Sequence, residues 1–486
     1  MSLQVSPENW LKEDPLFEKV FRFFQSKPGE VYLVGGYLRD KILGRKSKDI
    51  DLLLKDDISK LGPILAKSLK GSFFFLDETR GIARIIAKTK NSRSIDFTPL
   101  KQGLKEDLKG RDFTIDALAL NLNLLGRKTL SFPEELIDYS HGFSDLKERK
   151  IRVVSPQAFG DDPLRLLRAV RIGAELGFEI EKNTADLLKR HAPLLVQVAP
   201  ERVQEELFLI LSVPKSSEAF KQTDSLGLSR VVLPELERCK GVIQDRFHHL
   251  DVWGHSLLTL AELERVNADI PSFFLRFEDK IKGHLKKEVQ GRPRMSLLKL
   301  GALFHDLGKA QTRTVEAGRI RFLGHPETGA KLAKDVLTRL KTGKRAVQVT
   351  CRLVKEHLRP GFLSDQEVTS RAIHRFLRDC GEESLGVILL SLADRLASRG
   401  PASTAKQLKK HLSFLNDLVG VIFAPKRRKP APLLNGKDLI EKFGLAPGPL
   451  IGRLLKAVEE AQFEGVISRR EEALIFVKQI LEKGFD

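Results

Sequence analysis

Asp49 and Asp51 stand one residue apart in VYLVGGYLRDKILGRKSKDIDLLL, downstream of Gly35-Gly36 and Arg39. Carboxylates are hard oxygen ligands suited to Mg²⁺, and two such ions roughly 4 Å apart can stabilise the attacking and leaving oxygens of an in-line displacement at phosphorus. Ile50 and Leu52-Leu53-Leu54 mark a strand, on which alternate residues face the same way, so the two acids point together. VYLV reads as another strand entering the Gly-Gly turn, where backbone amides can approach a triphosphate without Cβ obstruction. A helix beginning near Tyr37 adds its positive end, and Arg39 a fixed charge. A bare DxD is more often an exposed acidic strand. The glycines, the arginine and the apolar strand in register instead suit nucleotidyl transfer, with Asp49 and Asp51 as catalytic magnesium ligands.

A second set of residues concerns base choice. In GDDPLRLLRAVR an ionised Asp162 only accepts hydrogen bonds and Arg165 only donates them. If the two share a helical face three residues apart, they set an acceptor beside a donor, matching the exocyclic amine and adjacent ring nitrogen of cytosine or adenine. Guanine and uracil carry a carbonyl where that amine would be, and two facing acceptors cost roughly 1 to 3 kcal/mol when buried. The competing explanation is a weak surface ion pair. Arg165, Arg168 and Arg171 share one polar stripe, away from Leu166, Val170 and Ala174, and that stripe can face a nucleotide.

Elements must hold these residues in place. Short strands near residues 31 to 34, 49 to 54, 72 to 77, 82 to 88 and 93 to 98 alternate with helical runs, giving an α+β head, and after Asp161 the pattern turns helical. The basic, proline-rich APKRRKPAP at 424–432 is the clearest linker. The expected division is a head over 1–150, a helical neck over 151–225, a helical domain over 226–424 and a tail over 425–486. A chain of 486 residues exceeds one ordinary core. Lys+Arg 83 against Asp+Glu 64 leaves a net charge of +19, which suits a polyanionic partner, while 3 Tyr and 2 Trp argue against an extensive base-stacking platform. Cys239, Cys351 and Cys380 are too few and scattered for a disulfide scaffold or a CxxC zinc site. With no apolar leader and no run approaching ~18 apolar residues, the expected setting is the cytoplasm, without membrane contact.

The order GG, two residues, RD, then DxD closely resembles the class II tRNA nucleotidyltransferase and bacterial poly(A) polymerase family. KGRDFTIDALAL, GDDPLRLLRAVRIGAELGF and PERVQEELFLIL resemble its next motifs in family order, and together they cover most of residues 28 to 212. Gly110, Asp116 and Tyr139-Ser140-His141 depart from the family pattern. The resemblance implies a polymerase-β-like nucleotidyltransferase head with a small mixed sheet, followed by all-helical neck, HD and tail domains. It gives Arg111 and Asp112 contacts with the nucleotide sugar and phosphates, and makes Asp162 and Arg165 a protein template for CTP or ATP. Asp96, after an apolar strand just before the second motif, is a candidate third catalytic carboxylate.

Farther on, His255, His305-Asp306 and Asp394 follow the ligand order of an HD domain. Imidazoles plus carboxylates on helices can enclose a divalent transition metal and activate water toward phosphoesters, and His325 and His357 offer a second position. A degenerate HD fold kept as a helical scaffold for RNA is the competing reading. The tail LLNGKDLIEKFGLAPGPLIGRLL resembles the C-terminal module of some family members, with Arg427, Arg428 and Arg453 as RNA contacts. The activity implied is addition of C and/or A, CCA or part of it, from CTP and ATP to the tRNA 3′ end, with Mg²⁺, release of pyrophosphate and no protein partner. Poly(A) addition is the alternative within the class. An HD phosphohydrolase with a vestigial head is the alternative outside it.

Overall fold

The computed structural model describes residues 3–483 apart from 28, 48, 56, 90–91, 366–367, 425–430 and 464–465. They form two compact units, Met1–Pro234 and Glu235–Asp486. Among the described residues no helix is long and apolar enough to cross a membrane.

The first unit is built on a seven-stranded mixed sheet. Its strands are β1 (Val31–Val34), β2 (Ile50–Leu54), β3 (Ser72–Asp77), β4 (Ile82–Ala87), β5 (Arg93–Pro99), β6 (Leu118–Asn121) and β7 (Ile137–Asp138). They lie in the order β3-β4-β5-β2-β1-β6-β7. The β2–β5 pair is parallel and its neighbours in the sheet are antiparallel. β2 is central because IDLLL is apolar on both faces: Ile50, Leu52, Leu53 and Leu54 are all buried. Helix α1 (Pro15–Gln25) covers the sheet with one apolar stripe, setting Phe17 against Tyr37 at a ring separation of 4.8 Å and Phe24 against Phe97 at 6.3 Å. Its N-cap Asp14 accepts from Phe17 N, Tyr37 Oη and Arg93 Nη1, tying helix start, site helix and sheet together.

Helix α2 (Gly35–Ile42) starts two residues earlier than the spacing suggested, because Gly35 adopts φ +68° and turns the chain directly out of β1. β6 and β7 escaped the sequence reading, being four and two residues long and so too short to show periodicity. Helix α3 (Arg165–Leu176) buries Leu166, Leu167, Ala169, Val170 and Ile172 and stops at the left-handed Gly177. It packs on α4 (Pro200–Ser212).

Among its described residues the second unit is helical apart from two short hairpins. α5 (Val252–Ala268), α6 (Arg294–Phe304), α7 (His325–Arg339), α8 (Lys344–Glu356) and α9 (Ser384–Ala397) surround a core supplied chiefly by α6 and α9, whose sequences RMSLLKLGALF and SLGVILLSLADRLA are buried almost all round. In the tail, the helices Gly436–Phe443, Pro449–Phe463 and Arg470–Lys483 close on Leu439, Leu454, Val458 and Val477. Glu460 of the middle helix accepts from Arg375 at 2.6 Å and Arg378 at 2.7 Å, which holds its carboxyl down at about 2. The fold is thus α+β in the head and mostly helical beyond it, where short strands at Glu179–Ile180 and in the two hairpins depart from the expected all-helical pattern.

Candidate functional site

Strand register assembles the acids. Asp51 on β2 lies beside Asp96 in the parallel β2–β5 ladder and opposite Val34 in the antiparallel β1–β2 ladder, so the Gly35 turn sits directly over it. A Cβ on Gly35 would stand 2.9 Å from Asp51 Oδ2 and 3.0 Å from Arg111 Nη1, whereas one on Gly36 meets only the Arg39 guanidinium at 3.5 Å. The glycine requirement at Gly35 is therefore steric as well as conformational. Asp49, just before β2, accepts from Ser94 Oγ at 2.7 Å. Burial pushes Asp51 up to about 7, with Arg111 opposing the shift and Asp96, Asp116 and Asp49 adding to it. These residues line a cleft of about 480 Å³, joined there by Gly36, Arg39, Asp112, Arg168 and Arg171.

The basic residues of the cleft are more committed than the sequence suggested. Arg39 is 8% exposed and bonds Asp116 at 2.7 Å and Asp40 at 2.9 Å, so its charge is balanced beneath the turn instead of standing free for a phosphate. Arg168 bonds Asp112 at 2.8 Å; burial would raise that carboxyl, but the guanidinium holds it below the usual range. Arg171 bonds Glu206 on α4 at 2.8 Å. Arg111 reaches back to Asp107 at 3.2 Å. Asp96 is gripped by both nitrogens of its cross-strand neighbour Arg84, each at 2.6 Å.

Asp162 and Arg165 do not share a helical face. Pro163 disfavours helical backbone at the residue before it, so Asp162 is extended (φ −145°, ψ 98°) and α3 begins only at Arg165. Neither residue lines the acid cleft. Asp162 accepts from Arg202 Nη2 at 2.8 Å, and Arg165 Nη2 donates to the Gly110 carbonyl at 2.7 Å, one residue from Arg111. Arg84, Asp116, Arg202 and Glu206 were not among the expected site residues. Their roles follow from sheet register and helix packing, for which local spacing carries no signal.

In the second unit His255 on α5, His305-Asp306 after α6 and Asp394 on α9 converge. His255 Nε2 lies 2.9 Å from Asp394 Oδ1 and 3.7 Å from Asp306 Oδ2, and His305 Nε2 lies 3.1 Å from Asp306 Oδ2. His325, first residue of α7, and His357, just after α8, close the other side. Burial depresses His255 to about 4 and His357 to about 3, so both imidazoles are neutral at physiological pH, the form that binds metals. His248, stacked edge-on against His255 at 4.6 Å, joins this group although its sequence context gave no hint of it. A cavity of about 680 Å³ opens above Asp306, His325, His357 and Asp394. Neutral imidazoles and ionised carboxylates are a donor set that fits a divalent transition metal.

Arg453 is exposed on the helix Pro449–Phe463. Arg427 and Arg428 lie outside the described residues.

A sheet with paired acids at one edge of a glycine turn defines a nucleotidyltransferase head, and the comparisons agree. The family model described as "Poly A polymerase head domain" matches residues 31–152, and the HD domain model matches residues 252–399. A tRNA nucleotidyltransferase domain 2 model matches residues 327–477. An A-adding tRNA nucleotidyltransferase of Deinococcus radiodurans is 34% identical, with 94% of this chain and 96% of that protein covered. A CC-adding tRNA nucleotidyltransferase of Thermus thermophilus is also 34% identical, with 93% of each covered. Among solved structures, a CCA-adding enzyme with ATP superposes with a TM-score of 0.64 at 22% identity, covering 99% of this chain and 100% of the other. The Thermotoga maritima CCA-adding enzyme complexed with tRNA gives a TM-score of 0.61, again at 22% identity with 99% and 100% covered. The last two share the fold. The chain belongs to the tRNA nucleotidyltransferase family and is a nucleotidyltransferase.

Proposed function

We propose that this protein extends the 3′ end of tRNA with C and/or A, completing CCA or part of it, from CTP and ATP with release of pyrophosphate. The observation that carries the reading is the convergence of Asp49, Asp51 and Asp96 under the Gly35 turn in one cleft. Mg²⁺ held by Asp49 and Asp51, with Asp96 beside them, would supply the charge stabilisation that phosphoryl displacement needs. Burial, helped by the nearby Asp96, Asp116 and Asp49, raises Asp51, and a cation at that carboxyl would offset the cost of its ionisation. The Gly35-Gly36 turn brings backbone amides to the triphosphate, and Arg111 is placed to meet phosphate or sugar oxygens. Arg39, through Asp116 and Asp40, stiffens that turn from below. The RNA 3′-hydroxyl attacks the α-phosphorus, and the bond to the bridging oxygen of the β-phosphate breaks.

Asp162 and Arg165 choose the base in this reading. Their hydrogen-bonding capacity suits cytosine and adenine, and Arg202 and the Gly110 carbonyl hold them until a base competes for the same groups. Head, neck, HD and tail portions divide the chain at about residues 150, 225 and 424, with exposed Arg453 on the RNA side of the tail. The three free, scattered cysteines fit a reducing cytoplasm.

Transcripts ending at the discriminator base, at C and at CC test the proposal. With CTP and ATP supplied singly, short additions confined to these tRNA ends are expected. Long ATP-only tails on generic RNA would favour poly(A) polymerase, and no incorporation on any RNA would refute transfer.

The buried histidine–aspartate cluster favours a second activity, hydrolysis of phosphoesters with a divalent transition metal. Metal-dependent phosphate release should survive Asp49→Ala/Asp51→Ala and disappear in Asp306→Ala. Release unchanged by Asp306→Ala would remove this activity from the account.

A further inference from the structure

Strand register carries the acid row of the cleft outward to the edge of the sheet. Asp51 on β2 pairs with Asp96 on β5, Asp96 with Arg84 on β4, and Arg84 with Phe74 on the edge strand β3. Directly paired residues project from the same face, so these four side chains form one line across the sheet, with about 4.8 Å from strand to strand. Ile82, two residues from Arg84, lines the cleft together with Asp96 and Thr98, so the line leaves the cleft without a break.

The two faces of this outer half of the sheet differ. On one, the helix Ile58–Ser68 lies against β3 and β4, and Phe73 fills the space that a Cβ at Gly62 would need. On the other, Phe74, Leu76 and Ile86 are 38%, 48% and 42% exposed. Ile86 is the diagonal neighbour of Phe74 across the β3–β4 ladder, within reach of an aromatic side chain, so the three make a strip and not scattered single residues. Between strip and acids stands Arg84. It spends two of its five N–H groups on Asp96, Nε on Oδ1 and Nη2 on Oδ2, and with its side chain 36% exposed the other three can meet a further anion.

The side of approach follows from the chemistry. The Gly35 turn stands over Asp51 from β1, which places the triphosphate on that side, and the attacking and leaving oxygens of a phosphoryl transfer lie roughly in line across phosphorus. The attacking terminus therefore comes from the β5 side, along this line. We infer that the exposed face of β3 and β4 seats the 3′-terminal nucleotides of the RNA being extended, with Arg84 on the phosphate next to the terminal sugar and Phe74, flanked by Leu76 and Ile86, stacked against a base. The inference rests on the transferase reading and adds the seat of its second substrate. Single-stranded RNA is commonly held by a cationic group on the backbone and a ring against a base, and a single ring serves where 3 Tyr and 2 Trp rule out an extensive platform. Continuity with the catalytic acids favours RNA here over a protein partner or a second copy of the chain.

The full-length chain provides the test. Phe74→Ala should raise KM for a tRNA substrate about tenfold while KM for CTP or ATP stays within about twofold, and Phe74→Tyr should restore the parental value. Arg84→Met should lower the log–log salt slope of tRNA binding by about 0.7, and Arg84→Lys should keep it. In Asp49→Ala/Asp51→Ala, which cannot turn over, a transcript ending in 4-thiouridine should photocrosslink within residues 72–86. A parent that incorporates nucleotide, combined with an unchanged tRNA KM in Phe74→Ala or a crosslink confined to other residues, would overturn this seat and leave the transferase reading standing. Equal rises in both KM values would reduce Phe74 to a structural role and overturn it too, and an unaltered slope in Arg84→Met would strike the phosphate contact. Altered sedimentation of Phe74→Ala with tRNA KM unchanged would give the face to a second copy of the chain instead. No incorporation by the parent on any RNA would overturn both readings.

Discussion

Gly35 and Asp51 form the tightest coupling in the head. Any side chain at Gly35 strains the φ +68° turn and collides with Asp51 Oδ2 and Arg111, whereas Gly36 has ordinary backbone and room. Gly35→Ala should therefore cut kcat/KM for nucleotide addition about 10²-fold, the scale expected when catalytic groups shift by about 1 Å, with Gly36→Ala staying within about threefold. Steady-state incorporation on one tRNA substrate compares the two. The titration of Asp51 gives a second expectation. Its carboxyl is raised from 3.8 to about 7 in the fold, so below pH 7 a proton competes with a divalent ion. Apparent Mg²⁺ affinity should fall about tenfold per pH unit below 7 and level off above it. The sign for stability is the reverse of the usual carboxylate case. The native state holds an extra proton between those two values, so metal-free stability declines as pH rises through that window. Asp51→Asn should abolish the decline, unfolding later than the parent at pH 8 and alike at pH 4.

Between elements, α3 and α4 are joined by Arg171 and Glu206, whose side chains are 14% and 6% exposed. Glu206→Ala leaves a guanidinium with one outer partner, Glu175, and should destabilise the first unit by about 3 kcal/mol in urea unfolding. Arg171→Met/Glu206→Leu together should recover most of that loss, because no buried charge is stranded. Elements of this kind also mark where the sequence stopped being informative. The strands carrying Asp51 and Asp96 were legible because short apolar runs are flanked by glycines and charges, although β2 starts at Ile50 and leaves Asp49 just ahead of it. The pairing of Asp96 with Arg84 was not, since it depends on how the β4–β5 hairpin registers. The displacement of Asp162 from the helix was legible in principle, since Pro163 announces it, but helical spacing on both sides masked that signal. Glu206 and Arg202 meet their partners only through helix packing, which no local pattern encodes.

Across the whole molecule, the net charge of +19 sets the response to salt. A chain that neutralises several tRNA phosphates should lose about 10³-fold in affinity between 50 and 200 mM salt, read from filter binding, with a linear log–log slope. The two clusters lie in separate compact units, the carboxylate cleft in Met1–Pro234 and the histidine–aspartate group in Glu235–Asp486. The order His255, His305-Asp306 and Asp394, with His325 and His357 between, was legible along the chain because its motifs are local dipeptides and tetrapeptides, while the membership of His248 emerges only when the helices are packed.

The most direct test of the head chemistry is single-turnover incorporation of labelled CTP and ATP by Asp49→Ala/Asp51→Ala, with tRNA affinity measured on the same preparation. Incorporation should be lost while tRNA still binds with near-parental affinity, as expected if Asp49 and Asp51 carry the chemistry. Incorporation retained within about tenfold of the parent would contradict it.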